Sequence, residues 1–268
     1  MKKLFAICLA VVLVLLALTG CATTNADDKV IRVGASPTPH ALILKAIKPY
    51  VEAKGYTLEI IEFDDYVLPN TSLEQGELDA NYFAHLPYIE NFNKNNGTHI
   101  KSVLAVHFEP LGIYPGKSAS LDDLEGKTFA IPNDTTNEAR ALQLLAATGI
   151  IELDASKGLE ATPRDITSNP HNIKFTELEA SFIPRVLPDV DFGIINGNYA
   201  LSAGIGGTVL LTELVESEAA DIYANVLAVR EGSENNEKIK VLIEALKSIS
   251  VREYVLEQFG KLVVLVSE

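Results

Sequence analysis

Apolar and polar positions change rhythm several times along this chain. It opens with one unbroken apolar run, Leu4 to Leu18, placed behind Lys2 and Lys3. From residue 30 onward, short apolar or alternating stretches take turns with segments whose apolar residues recur at helical spacing. That pattern predicts strands over 30–35, 57–63, 79–83, 127–131, 173–178, 191–195 and 225–230. It predicts helices over 40–53, 66–75, 86–95, 135–147, 235–248 and 251–259. In the first of these the helical stripe is Ala41, Leu42, Leu44, Ala46, Ile47, Tyr50 and Val51. Gly76 stands where a helix C-cap belongs. Regular strand–helix alternation predicts an α/β fold with mostly parallel sheets.

Two stretches read as crossings between lobes. His107 to Gly116 mixes β-prone residues with Pro and Gly, and Ala224 to Arg230 is an extended apolar segment ahead of the last helices. If both connect lobes, the final helices return to the first one. The expected organisation is then a leader at 1–20, a tether at 21–29, a first lobe at 30–110 completed by 223–268, and a second lobe at 111–222. A ligand cleft would lie between the lobes. A single doubly wound domain fits the same periodicity.

The opening run changes the picture of where the protein works. Its fifteen apolar residues are too few for a comfortable membrane span, which needs about 20. They match the apolar core of a secretory leader. The run ends in Leu18-Thr19-Gly20-Cys21, a lipobox, which predicts cleavage before Cys21 and lipid on its thiol. The expected location is the extracytoplasmic face of a cell membrane, held by that lipid. Cys8 leaves with the leader, so the mature chain has no disulfide and no thiol-based metal site. Losing Lys2 and Lys3 takes the net charge from −14 to −16. So acidic a surface argues against nucleic acid as a partner and against adhesion to anionic lipid.

Three polar constellations carry candidate chemistry. Ile131-Pro-Asn-Asp-Thr-Thr-Asn-Glu-Ala-Arg140 runs from a strand end through a helix cap at Asn133 or Asp134. Thr136, Asn137 and Arg140 then share a helix face. A guanidinium beside a helix N-terminus suits a carboxylate, and strand C-terminal ends are where open α/β sheets bind ligands. Asp79-Ala-Asn-Tyr-Phe-Ala-His-Leu-Pro-Tyr88 gathers Tyr82, Phe83, His85 and Tyr88. Aromatic faces suit a thioether. Phe83 and His85 alternate along an extended segment and so would face the cleft together, although His85 also stands where a helix N-cap would. Phe192-Gly-Ile-Ile-Asn-Gly-Asn-Tyr199 brings Asn196 and Asn198 to the end of an apolar strand, where a plain turn is the alternative.

At these residues the sequence resembles the methionine-binding lipoprotein family of the MetQ/NlpA type. The stretches that carry the resemblance are Pro37 to Ala41, Phe63 to Asn70, Asp79 to Tyr88, His107 to Tyr114, Ile131 to Asn137 with Arg140, Glu177 to Ala180, Pro184-Arg185 and Val190 to Ala200. It implies a two-lobed periplasmic-binding-protein fold of type 2, with two crossovers. It also implies capture of methionine, its D-isomer or a methionyl dipeptide, and delivery to a membrane permease with a cytoplasmic ATPase by a monomeric, lipid-anchored receptor. Arg140 matches the arginine that grips the ligand carboxylate, and Asn196 the asparagine that holds the amino-acid backbone. Tyr66, Phe83 and His85 match residues around the ligand side chain. Asn81, Glu109, Tyr114, Asn133 and Asn137 match positions near the cleft. The chain departs from the family at Ala84, often Gln; at Ala139, often Gly; and at Pro115, often Ser. Ala84 flanks the aromatic cluster, where side-chain selectivity is set.

Other classes fit less well. The sequence lacks a Gly-x-Ser-x-Gly elbow, a His-Glu-x-x-His motif and a Walker A lysine loop, so neither an enzyme nor a cofactor is expected. The five histidines, at 40, 85, 99, 107 and 171, are scattered along the chain, and no metal is expected. A metal-ion receptor would need His40, His85 and His107 to converge. A receptor for another small amino acid and a surface adhesin built on the same fold are the remaining alternatives.

Overall fold

The computed structural model describes residues 29–216 and 218–266. The expected leader, Cys21 and nearly all of the tether lie outside the described residues.

The chain first builds β1 (Val30–Ala35), α1 (Leu42–Ala53), β2 (Thr57–Glu62), α2 (Leu68–Gln75), β3 (Ala80–His85), α3 (Leu86–Asn96) and β4 (Ile100–Phe108). A second group follows: β5 (Gly112–Pro115), β6 (Thr128–Pro132), α4 (Thr135–Ala147), β7 (Glu152–Leu153), β8 (Ile166–Ser168), β9 (Lys174–Leu178), α5 (Ile183–Val186), β10 (Phe192–Ile195), α6 (Gly197–Ser202) and β11 (Leu211–Thr212). After α7 (Glu218–Ile222) come β12 (Asn225–Arg230), α8 (Glu237–Leu246), α9 (Ile249–Phe259) and β13 (Val264–Leu265).

These strands form two main sheets. One has the order β13-β4-β12-β3-β1-β2 and the other β11-β5-β10-β6-β9. The chain therefore passes from the first sheet to the second after β4 and returns after β11. Each sheet is covered on both faces. Ile43, Leu44 and Ile47 of α1 join Leu242 of α8 and Val251 of α9 over one face of the first sheet. Leu73 of α2 and Ile89 of α3 pack on its other face. The second sheet has Leu142 and Leu145 of α4 on one side and Ile183 of α5 with Ala200 of α6 on the other. This is a two-lobed α/β architecture.

Two expectations need correction. The sheets are mixed rather than mostly parallel. β1 runs parallel to β3, and β6 runs parallel to β9 and β10. But β12 is antiparallel to both β3 and β4, and β5 is antiparallel to β10. The physical reason is the double crossing: a strand arriving from the other lobe enters its sheet from the opposite end. The segment read as a second crossing is not a connection. Residues 225–230 are β12, an interior strand buried at five of its six positions, and that burial is why it is so apolar. The chain crosses just before it. β4 was not legible at all. Its burial is irregular along nine residues, and its register to β12 shifts twice, so no clean alternation marks it.

Among the described residues, no helix is long and apolar enough to cross a membrane.

Candidate functional site

Where the lobes face each other they enclose a cleft of about 330 Å³, its mouth included. The first lobe supplies Tyr66, Phe83, Ala84, His85 and Tyr88 to its wall, and the second lobe Asn137, Arg140 and the 196–198 turn. Glu109 and Asn225, which stand at the two crossings, complete it.

Each side chain is set by local structure. β3 ends at His85, which caps α3: the Tyr88 backbone N–H donates to His85 Nδ1 at 3.2 Å. The proton must then sit on Nε2, which donates to Asn137 Oδ1 across the cleft at 3.1 Å. Burial first, and the nearby Arg140 charge second, lower the His85 pKa to about 3, so the ring is neutral. In the second lobe Asp134 caps α4 by accepting from the Asn137 backbone N–H at 3.0 Å. The same carboxylate accepts from Asn137 Nδ2, which fixes that amide's orientation. Asn137 Oδ1 also accepts from Asn196 Nδ2 at 2.7 Å. Asn196 is the N-cap residue of α6, so the Asn-Gly-Asn signal marks the start of a helix. Across the cleft, Tyr66 donates its hydroxyl to Asn198 Oδ1 at 2.6 Å.

Of the six buried side-chain atoms without partners among the described residues, two belong to residues that line the cleft, Asn196 Oδ1 and Asn198 Nδ2. An unpaired buried polar atom costs about 1–3 kcal/mol, so its place in a cleft wall calls for a ligand. One is an acceptor and the other a donor, and Arg140 lines the same cleft. Its Nε and Nη2 bond the Glu213 carboxylate at 2.8 and 2.6 Å, and Nη2 also donates to the Glu109 carbonyl at 2.9 Å. The Tyr223 ring lies 4.3 Å from its guanidinium carbon. Burial works against the charge of Arg140, but Glu213 more than offsets it and raises the pKa. Nη1 is the nitrogen not committed to Glu213 or to the Glu109 carbonyl. The opposite wall is aromatic. Tyr66 has its centroid 5.8 Å from Phe83, 5.7 Å from Tyr88 and 5.0 Å from Tyr199.

Seven of the ten positions matched to the family line this cleft: Tyr66, Phe83, His85, Glu109, Asn137, Arg140 and Asn196. The other three have different surroundings. Asn81 donates to the Pro69 carbonyl and to Asn70, pinning the first turn of α2 to β3. Tyr114 is packed beside Ala130 and Ile195 in the core of the second lobe. Asn133 borders a neighbouring hollow with Asp134 and Glu179. Sequence reasoning passed over Asn225, inside an apolar strand, and Glu213, which lies 73 residues from Arg140 and carries no local signal. Ala84, a departure from the family pattern, falls on the wall.

The histidines converge only in part. His40 and His107 meet at a tilt with centroids 5.0 Å apart, whereas His85 is committed to Asn137. With Glu109, the His40 and His107 donor atoms lie within 4.8 Å of one another, a spacing a metal ion could use. His107 Nε2 and His40 Nε2 already meet Glu109 Oε1 at 2.7 and 3.3 Å, while His40 Nδ1 has no partner.

Two sheets joined by two crossings, with a polar and aromatic cleft between them, define a periplasmic-binding-protein fold. The comparisons with known proteins are narrower still. The profile of the NlpA lipoprotein family matches residues 31–266, and the chain belongs to that family. It is similar to the methionine-binding lipoprotein MetQ of Bacillus subtilis, 37% identical over 278 residues and all of both chains. A solved structure from Ruminococcus gnavus is 49% identical with a TM-score of 0.87, covering 88% of this chain and 99% of that one. The structure of a nutrient binding protein from Burkholderia cenocepacia bound to methionine is 39% identical with a TM-score of 0.83, again over 88% and 99%.

Proposed function

We propose that this chain captures methionine in the cleft and delivers it to an ATP-driven importer. The observation that carries the reading is the pair of unpartnered buried groups in one cleft with a charged guanidinium, faced by an aromatic wall. Asn196 Oδ1 accepts from the ligand ammonium. Asn198 Nδ2 and Arg140 Nη1 donate to its carboxylate. Tyr66, Phe83 and Tyr88 receive the thioether, whose contacts with aromatic rings are worth about 0.3–1.5 kcal/mol each. Asn137 orients Asn196 and couples it to His85. The methionine bound by the Burkholderia relative and the name of the Bacillus relative support this choice of ligand.

The same reading supplies the surroundings. The lobes run 30–110 with 223–268, and 111–222. The receptor works as a monomer, held by lipid on Cys21 at the extracytoplasmic face, and presents its closed, loaded form to a permease with a cytoplasmic ATPase. It catalyses no reaction of its own. The experiment is mass spectrometry of freshly purified protein after denaturation. Release of free methionine, about one per chain, is the expected result. Release of a different ligand in that amount overturns the choice of methionine.

A further inference from the structure

Side chains from distant parts of the chain meet at the back of the cleft. His40 lies just ahead of α1, His107 near the end of β4, and Glu109 directly after that strand, at the first crossing. They are only 1%, 0% and 4% exposed. One donor atom from each falls within 4.8 Å of the other two. A fourth donor stands beside them. Asn225 of β12 is paired with His107 of β4, and its Oδ1 lies 3.3 Å from His40 Nε2. Two imidazole nitrogens, a carboxylate and an amide oxygen are thus gathered in one buried place.

The hydrogen bonds among them are an incomplete solution. The Tyr82 hydroxyl engages His107 Nδ1, while His107 Nε2 meets Glu109 Oε1 at 2.7 Å. His40 Nε2 has one proton for two acceptors, Glu109 Oε1 and Asn225 Oδ1, each at 3.3 Å. His40 Nδ1 is buried without a partner.

The donor set suits a divalent ion of the first transition row, for which imidazole is a good ligand. Zinc takes nitrogen and carboxylate oxygen at about 2.0–2.2 Å, so neighbouring donors of its tetrahedron stand about 3.3–3.5 Å apart. The two His40 pairs already have that spacing, and the His107 pair has to widen by about half an ångström. Burial keeps both rings neutral, so each brings a lone pair instead of a charge. When a metal takes Nε2, the ring proton moves to Nδ1. For His107 the Tyr82 oxygen is in place to accept it, which fixes the tautomer and the ring orientation. His40 Nδ1 is unpartnered before and after the exchange. Glu109 and Asn225 line the cleft, which gives the ion its way in.

We propose that His40, His107, Glu109 and Asn225 form a site for one divalent transition-metal ion at the back of the cleft, with zinc as the ion whose geometry they fit. The inference rests on these four side chains and is independent of the choice of methionine.

The test uses the full chain, unfolded with a chelator and refolded to strip metal and ligand. It is titrated with zinc chloride in a calorimeter and assayed for retained zinc after dialysis. About one ion per chain is expected. His107→Gln should weaken zinc at least tenfold, because it removes one of the two nitrogen donors. His99→Gln and His171→Gln, which alter the imidazoles outside the cluster, should bind zinc as wild type does. If wild type retains no zinc, or if His107→Gln binds it within twofold of wild type, the inference fails. If His107→Gln does not fold, the visible spectrum of wild type loaded with cobalt chloride decides. The intense bands of a tetrahedral cobalt centre uphold the site, and their absence overturns it.

Discussion

The two walls of the cleft are built on opposite terms. The second lobe's wall is a polar lattice that leaves Asn196 Oδ1 and Asn198 Nδ2 open: Asp134 holds Asn137, Asn137 holds Asn196, and Glu213 holds Arg140. The first lobe's wall is a nest of rings, Tyr66, Phe83 and Tyr88, that meet through edges and tilted faces. A polar lattice fixes geometry to a fraction of an ångström and accepts what every amino acid shares. A ring nest fixes volume and polarizability and selects what differs between amino acids. On the proposed reading the difference divides recognition within one cleft, with the ligand backbone held by the polar wall and its side chain by the rings.

The largest expected effect comes from Arg140. Arg140→Ala leaves Glu213 buried and unpaired, which costs about 3–5 kcal/mol of stability. It also removes a charged donor, so every amino-acid ligand should weaken at least tenfold. Denaturant unfolding and calorimetry on the same preparation separate the two losses. A stable Arg140→Ala protein with undiminished affinity would leave the polar wall without its central member.

Asn196→Ala should follow. It removes the unpartnered acceptor and the bond to Asn137, so methionine and smaller amino acids should weaken alike, by about tenfold. Stability should fall by about 1 kcal/mol. A loss confined to methionine would assign Asn196 to the side chain and blur the division between the walls.

Phe83→Ala carries the smallest effect and sharpens the comparison most. Sulfur–aromatic contact of about 0.3–1.5 kcal/mol corresponds to about two- to tenfold in affinity. Methionine should lose by that factor, while alanine, which cannot reach the ring, should be nearly unchanged. Equal losses for both ligands would mean that Phe83 shapes the cleft as a whole.

Much of this division was legible in the sequence, because its signals are local. Asp134 three residues ahead of Asn137 is a cap whatever surrounds it, and Phe83 and His85 alternate on one strand. The rest depends on contacts that no local pattern encodes. Glu213 meets Arg140 across 73 residues and Asn198 meets Tyr66 across 132. Asn225 opens an apolar strand like many others, and only the fold sets it beside His40. Asn81 misled for the same reason. It lies in the aromatic motif, yet its amide turns toward α2 instead of the cleft. The strand directions went astray because periodicity reports which face is buried, not from which end a strand enters its sheet.

The measurement closest to the central claim is calorimetric titration of the refolded, ligand-stripped protein with methionine. The account predicts one site per chain, with a dissociation constant far below about 1 mM. The Arg140→Ala and Phe83→Ala chains should depart from it in the two different ways given above. Absence of saturable heat with methionine at millimolar concentration, from protein whose folding is verified, would contradict it.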